Sequence, residues 1–195
     1  SEVLGQQLEE PAVVVDQPVH HLVDRAVAPQ GDDELEPSSG GPAGELEGVA
    51  TVGGLRDLEV EIGDKTMAVD LRGAMLGCKH AVPRMIESGG GSIINTTSNS
   101  ALAGDLSLNA YSAAKAGLNA LSLSVATAFG KDGIRCNAVS PAHIASPSLA
   151  RVVPPEVQAL LRAECLTPRL GTPQDVANLV LFLASDESAF ITGQI

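Results

Sequence analysis

From about residue 64 onward, apolar residues recur at the spacings of regular structure. Met67, Leu71, Ala74, Cys78 and Val82 lie three or four apart and predict an amphipathic helix over residues 64–85, about six turns long. Gly89, Gly90 and Gly91 break it, and residues 92–98 (Ser-Ile-Ile-Asn-Thr-Thr-Ser) read as a short buried strand. A loop of small residues leads to a second helix over residues 110–131, with Ala114, Leu118, Leu121, Val125 and Phe129 as its apolar stripe. Asp132 and Gly133 form a turn, and residues 134–140 form another strand, stopped by Pro141. Thr172-Pro173-Gln174-Asp175 offers an N-cap, a proline at the first helical position and an acid three residues after the cap. A helix through Val176, Leu179, Val180 and Leu183 follows. Strands joined through helices predict an α/β fold with a parallel sheet.

The first third of the chain is different. Residues 1–63 contain no Lys, Asn, Cys, Met, Phe, Tyr or Trp, and Ile62 is their one isoleucine. The formal charge of −12 also belongs there: residues 1–62 hold 14 acidic side chains against two arginines, whereas residues 63–195 hold ten of each sign. Residues 1–54 are therefore left unassigned, an acidic segment that is either disordered or the product of a frame or strand error. Residues 55–195 form the readable domain. His20 and His21, between Asp16 and Asp24, lack defined ligand spacing, and no metal is expected.

Charge and cysteines exclude some classes. No basic patch exists to neutralise phosphates, so nucleic acid is not an expected partner. No apolar run approaches the ~20 residues a membrane span needs, so no membrane partner is expected either. Cys78, Cys136 and Cys165 are odd in number and widely spaced, which gives neither a disulfide framework nor a zinc site and suits a reducing cytoplasm. Cys78 and Cys136 are expected in the core as small hydrophobes.

The sharpest chemical signal is Tyr111-Ser112-Ala113-Ala114-Lys115, with Ser98 thirteen residues earlier. A tyrosine and a lysine four apart project from one face of a helix. There the ammonium favours the phenolate and draws the tyrosine down from its ordinary pKa of ~10. Ser98 closes a strand at its carboxyl end, where open α/β sheets place ligands. Its hydroxyl would hold a substrate oxygen while Tyr111 gives or takes the proton.

Five blocks in order resemble the short-chain dehydrogenase/reductase family over about residues 55–195. They are Met67-Ala68-Val69-Asp70-Leu71-Arg72-Gly73, the strand ending at Ser98, Tyr111 to Lys115, Asn137-Ala138-Val139-Ser140-Pro141, and the C-terminal run from Arg169 to Gln194. The resemblance implies the C-terminal part of a Rossmann-type doubly wound sheet. It also implies hydride transfer between NAD or NADP and a small secondary alcohol or ketone. On the same basis Ser98 orients substrate, Tyr111 is the general acid/base, and Lys115 holds the nicotinamide ribose and tunes Tyr111. Pro141, Ala142, Ile144 and Ser146 fall in the loop that meets the nicotinamide, and His143 lies beside it. Relatives usually self-associate, so a homo-oligomer is implied. The family's usual Asn, which positions a water in the proton relay, is here Asp70, a carboxylate that would raise the pKa of a neighbouring Tyr111.

One expected part is missing. The family's Thr-Gly-x-x-x-Gly-x-Gly turn, which holds the cofactor pyrophosphate at a helix N-terminus, is not found. The nearest run, Gly40-Gly41-Pro42-Ala43-Gly44-Glu45-Leu46, has leucine where the last glycine belongs and follows an acidic stretch. The N-terminal nucleotide-binding half is thus expected to be missing or replaced, and both chain ends to be incomplete. The alternative function is a non-catalytic truncated relative that self-associates or binds a partner without cofactor.

Overall fold

The computed structural model describes residues 12–15 and 55–195; the acidic remainder of residues 1–54, with His20 and His21, lies outside the described residues. Among the described residues, three parallel strands form one sheet in the order β1 (Ala12–Val15), β2 (Gly91–Thr96) and β3 (Ile134–Val139). The chain reaches β2 through α1 (Val60–Met67) and α2 (Gly73–Ser88), and β3 through α3 (Ser100–Ala103) and α4 (Asn109–Phe129). Beyond β3 come α5 (Pro147–Val152), α6 (Pro155–Glu164) and α7 (Pro173–Ala184). The architecture is the expected α/β, Rossmann-like fold.

Residue alternation along the strands builds two cores. Ile93, Ile134 and Cys136 face α2 and α4, where Cys78, Val82, Met85 and Val125 close the first core. Ile94 and Val139 face the opposite way and meet Leu183 and Ala184 of α7. Successive strand residues point to opposite faces, so a parallel sheet covered on both sides is buried throughout, its polar Ser92, Asn95, Arg135 and Asn137 included. That is why Gly91 to Asn95 and all of β3 are buried. Both core cysteines behave as hydrophobes: burial pushes the Cys136 thiol up to about 12, with the neighbouring Cys78 adding to it.

Three features differ from the pattern read along the chain. The strand β1 arises within residues 1–54, pairing Val13 with Ile93 and Val15 with Asn95. The first helix starts earlier, at Val60, and is interrupted by a π-helical turn at Ala68–Arg72 before continuing as α2. The stretch after Ser146, where the apolar pattern predicts no element, holds the two short helices α5 and α6.

Tight turns join helix ends to strand starts. Gly90 has φ 137° and Gly133 φ 81°, and a Cβ on Gly90 would sit 2.7 Å from the Gly133 carbonyl oxygen. Glycine is required at both, because the backbones touch where β2 and β3 begin. At the same end of the sheet Arg135, only 8% exposed, donates to the carbonyl oxygens of Leu183 and Ser185 and to Ser188 Oγ. A cation thus satisfies the last carbonyls of α7, where the helix dipole is negative. Replacing Arg135→Met leaves those carbonyls without this donor, and we expect a loss of about 2–4 kcal/mol in chemical denaturation. A loss under 1 kcal/mol would exclude this anchoring role.

At its amino end α7 carries a full capping box: Asp175 N donates to Thr172 Oγ1 and Thr172 N donates to Asp175 Oδ2. The Arg169 guanidinium, paired with both Asp175 oxygens, and then Thr172 hold the Asp175 carboxyl well below the usual range. Because the folded value is depressed, this contribution stands above the unfolded pKa of ~4 and is lost as pH falls through the folded one. Asp175→Asn should therefore lower Tm at pH 7, with the gap to the parent narrowing as pH drops below about 4. A gap of constant size from pH 7 to pH 2.5 would show that the carboxylate charge does not matter.

Candidate active site

Entry into α4 is fixed by Asp105, whose Oδ1 accepts from the amides of Ser107 at 2.8 Å and Leu108 at 3.0 Å. The Ser107 amide is the main reason this carboxyl sits below its ordinary range. One turn into the helix stands Tyr111, half-buried, and one turn further Lys115, 2% exposed. The four-residue spacing does what it predicted: Lys115 Nζ lies 5.5 Å from the centre of the Tyr111 ring, within cation–π range.

Lys115 does not point to solvent. Its ammonium donates to the Thr96 carbonyl at 3.1 Å, at the carboxyl end of β2, and pairs with Asp70 Oδ1 at 3.4 Å. Asp70 is itself 6% exposed and sits in the π-helical turn. A π turn inserts one residue into a helix and re-aims the side chains around it, and such turns concentrate at functional sites. Close packing brings the two helices together there: a Cβ on Gly117 would lie 2.8 Å from Leu71 Cδ2, so glycine lets α4 approach the π turn.

Ser98 lies two residues beyond β2, half-buried. Its Oγ accepts from the Ser100 amide at 3.3 Å and from Ser100 Oγ at 2.9 Å. Both lone pairs are thereby occupied, and the hydroxyl proton is left for an oxygen acceptor in front of the sheet. The Ser98 loop is tied to the loop after β3: Thr97 N donates to Val139 O at 2.7 Å, and Asn99 N donates to Pro141 O at 3.0 Å.

The remaining predicted residues follow Pro141. Ala142 is exposed, while Ile144 pairs with Gly171 as an isolated parallel bridge. Ser146 N-caps α5, its Oγ accepting from Leu149 N at 3.1 Å. His143 stands 3.8 Å from Glu164 at the end of α6. Asp70, Tyr111 and Lys115 are thus drawn into one cluster at the carboxyl edge of the sheet, with Ser98 and Pro141 on adjoining, mutually bonded loops. Ser146 is engaged with its own helix.

Several contributors escaped the sequence reading. The Thr96 carbonyl is a backbone group and leaves no residue-type signal. Ser100 signals itself only by its spacing from Ser98. Thr66, one turn before Asp70, lines a small recess with Leu58, Asn109 and Tyr111. The buried Oγ of Ser140 and Ser112 and Oδ1 of Asn109 have no hydrogen-bond partner among the described residues. No cluster of three or more His, Cys, Asp or Glu that could hold a metal, and no helix long and apolar enough to cross a membrane, occurs among the described residues.

Comparison with known proteins gives the family. A family profile described as enoyl-(acyl carrier protein) reductase matches residues 45–195. A probable short-chain type dehydrogenase/reductase of Bradyrhizobium diazoefficiens is 50% identical over 139 residues, covering 71% of this chain and 50% of the relative. The 7alpha-hydroxysteroid dehydrogenase of Bacteroides fragilis is 38% identical over 140 residues, covering 72% of this chain and 54% of that protein. A short-chain type dehydrogenase/reductase from Mycobacterium ulcerans superposes with a TM-score of 0.71 at 29% identity, covering 73% of this chain and 52% of the other. The chain spans about half the length of the curated relatives it matches. From the profile and these relatives, the chain belongs to the short-chain dehydrogenase/reductase family.

Proposed function

We propose that this chain carries the catalytic part of an NAD(P)-dependent oxidoreductase that interconverts a secondary alcohol and a ketone. The observation that carries this reading is the buried Lys115 ammonium, held beside the Tyr111 ring by Thr96 and Asp70. A lysine so placed serves the chemistry of its neighbour better than it serves solubility or packing.

The residues present fit the nicotinamide-riboside end of such a cofactor. An ammonium offers three donors, of which the Thr96 carbonyl takes one, while Asp70 balances its charge from 3.4 Å. Ser140 Oγ, buried and lacking a partner among the described residues, lies immediately before Pro141 where the strands end. Lys115 would hold the ribose, and the segment from Ser140 through Pro141 and Ala142 to Ile144 would hold the nicotinamide. Ser146, committed to capping α5, would act there through its backbone. When bound, the nicotinamide supplies or accepts the hydride.

The chain's own residues handle the proton and the orientation. Ser98 donates its free hydroxyl proton to the substrate oxygen and fixes the carbonyl. In the reducing direction that oxygen keeps the electron pair of the broken C=O π bond and takes the proton of Tyr111 Oη. The phenolate left behind recovers a proton from solvent. Oxidation runs the same transfers backward, with the Tyr111 phenolate as base. Self-association through α2 and α4 also belongs to this reading, since Met75, Leu76 and Leu123 stand 48%, 48% and 43% exposed on those helices.

The test is titration of the purified chain with NADH and NADPH by cofactor fluorescence, followed by turnover of alcohols and ketones. Saturable binding is expected. Tyr111→Phe should keep that binding and lose turnover by about 10²–10⁴-fold, whereas Lys115→Met should weaken both. No binding at millimolar cofactor, or a Tyr111→Phe variant with parental turnover, would overturn the proposal. The first of these outcomes would favour a non-catalytic relative.

A further inference from the structure

We propose that Asp70 is a positioning residue whose carboxylate neutralises Lys115, so that Tyr111 stays a protonated phenol at neutral pH, the form that gives a proton to a carbonyl oxygen. This rests on the oxidoreductase reading above and adds the resting protonation state of its acid/base group to it.

The observations are geometric. Asp70 and Lys115 are 6% and 2% exposed and stand 3.4 Å apart, so water screens neither charge from the other. The ammonium is also the cation 5.5 Å from the Tyr111 ring. A lone ammonium there would favour the phenolate, and a lone carboxylate would oppose it. A close pair presents Tyr111 with little net charge. On the neighbouring elements, β2 and α3 carry no charged side chain, and Glu61, Asp64 and Lys65 of α1 are exposed, as is Arg72 of the π turn. Asp105, before α4, is exposed and turned to its own capping amides. Arg56, Asp57 and Glu59, which flank Leu58 near Tyr111, are exposed as well, and Asp70 and Lys115 are the buried charged pair beside Tyr111 among the described residues.

The consequence follows for each direction. A phenol that is protonated at pH 7 is ready to give its proton to a carbonyl oxygen. A phenolate base, which alcohol oxidation needs, forms only at higher pH. The ion pair sets which role Tyr111 plays when substrate arrives.

The chain has one tyrosine and no tryptophan, so tyrosinate absorbance near ~295 nm reads Tyr111 alone, without cofactor or turnover. In the full chain, Asp70→Asn should move the Tyr111 ionisation midpoint down by about one pH unit, and Lys115→Met should move it up. The double variant should return it toward the parent value. A midpoint unmoved or raised by Asp70→Asn overturns the proposal. Should Asp70→Asn fail to fold, as judged by circular dichroism, the same substitution in the Lys115→Met background must still lower the midpoint, and its failure to do so is equally decisive. Absence of turnover with either cofactor would strike the oxidoreductase reading and leave this titration intact. Turnover with an unmoved midpoint would strike the role of Asp70 alone.

Discussion

An ammonium buried to 2% exposure has to be paired, and the structure around Lys115 is arranged to pair it. The two partners come from different parts of the fold: a strand-end carbonyl at Thr96 and a carboxylate from the π turn at Asp70. To reach both, α4 must lie against the sheet and against the first helix at once. Gly117 permits the second contact by leaving Leu71 room, and the polar entry at Asp105 sets where the helix starts. Moving any of these elements would strand a charge in a low-dielectric interior. Breaking such a pair by removing one partner costs about 3–5 kcal/mol in comparable buried sites. One ion pair therefore ties the geometry of the candidate site to the geometry of the fold.

The sheet supplies the other constraint. Parallel pairing sets Thr96 opposite Val139, so both strands end at the same level and their loops emerge together. That shared level is why Asn99 can donate to Pro141, and why Ser98 stands in front of the strands instead of within one. The side chains of the candidate site are placed by backbone register, and the two apolar cores hold that register from either face. Arg135 belongs to the same logic from below, anchoring the C-terminal end of α7 to β3.

What could be read from sequence divides along physical lines. Helices α2, α4 and α7 and strands β2 and β3 were legible because apolar periodicity and turn residues act locally, as at Gly133 and in the Thr172 capping box. The pairing of Tyr111 with Lys115 was legible because helical spacing fixes it. The π turn was not, since one inserted residue scarcely disturbs the apolar spacing on either side of it. Strand β1 was hidden because Ala12 to Val15 is too short to stand out within an acidic segment, and its partner is eighty residues away. The direct contact of Asp70 with Lys115 was hidden for a related reason. Sequence gives the residue type, but only the packing of the π turn against α4 sets the distance.

That distance changes how the departure at position 70 is understood. An asparagine there could accept from the lysine but could not neutralise it, and the cationic character of the site would pass to the tyrosine undiminished. A carboxylate carries an additional desolvation cost of several kcal/mol in an interior site, which only a close opposite charge offsets. Lys115 at 3.4 Å is that charge, and Asp70 in turn offsets the cost of burying Lys115. The two burials stabilise each other, so either residue alone would be a worse occupant than a neutral one. The pair is accordingly one unit, and the electrostatics of Tyr111 must be reasoned from both members together.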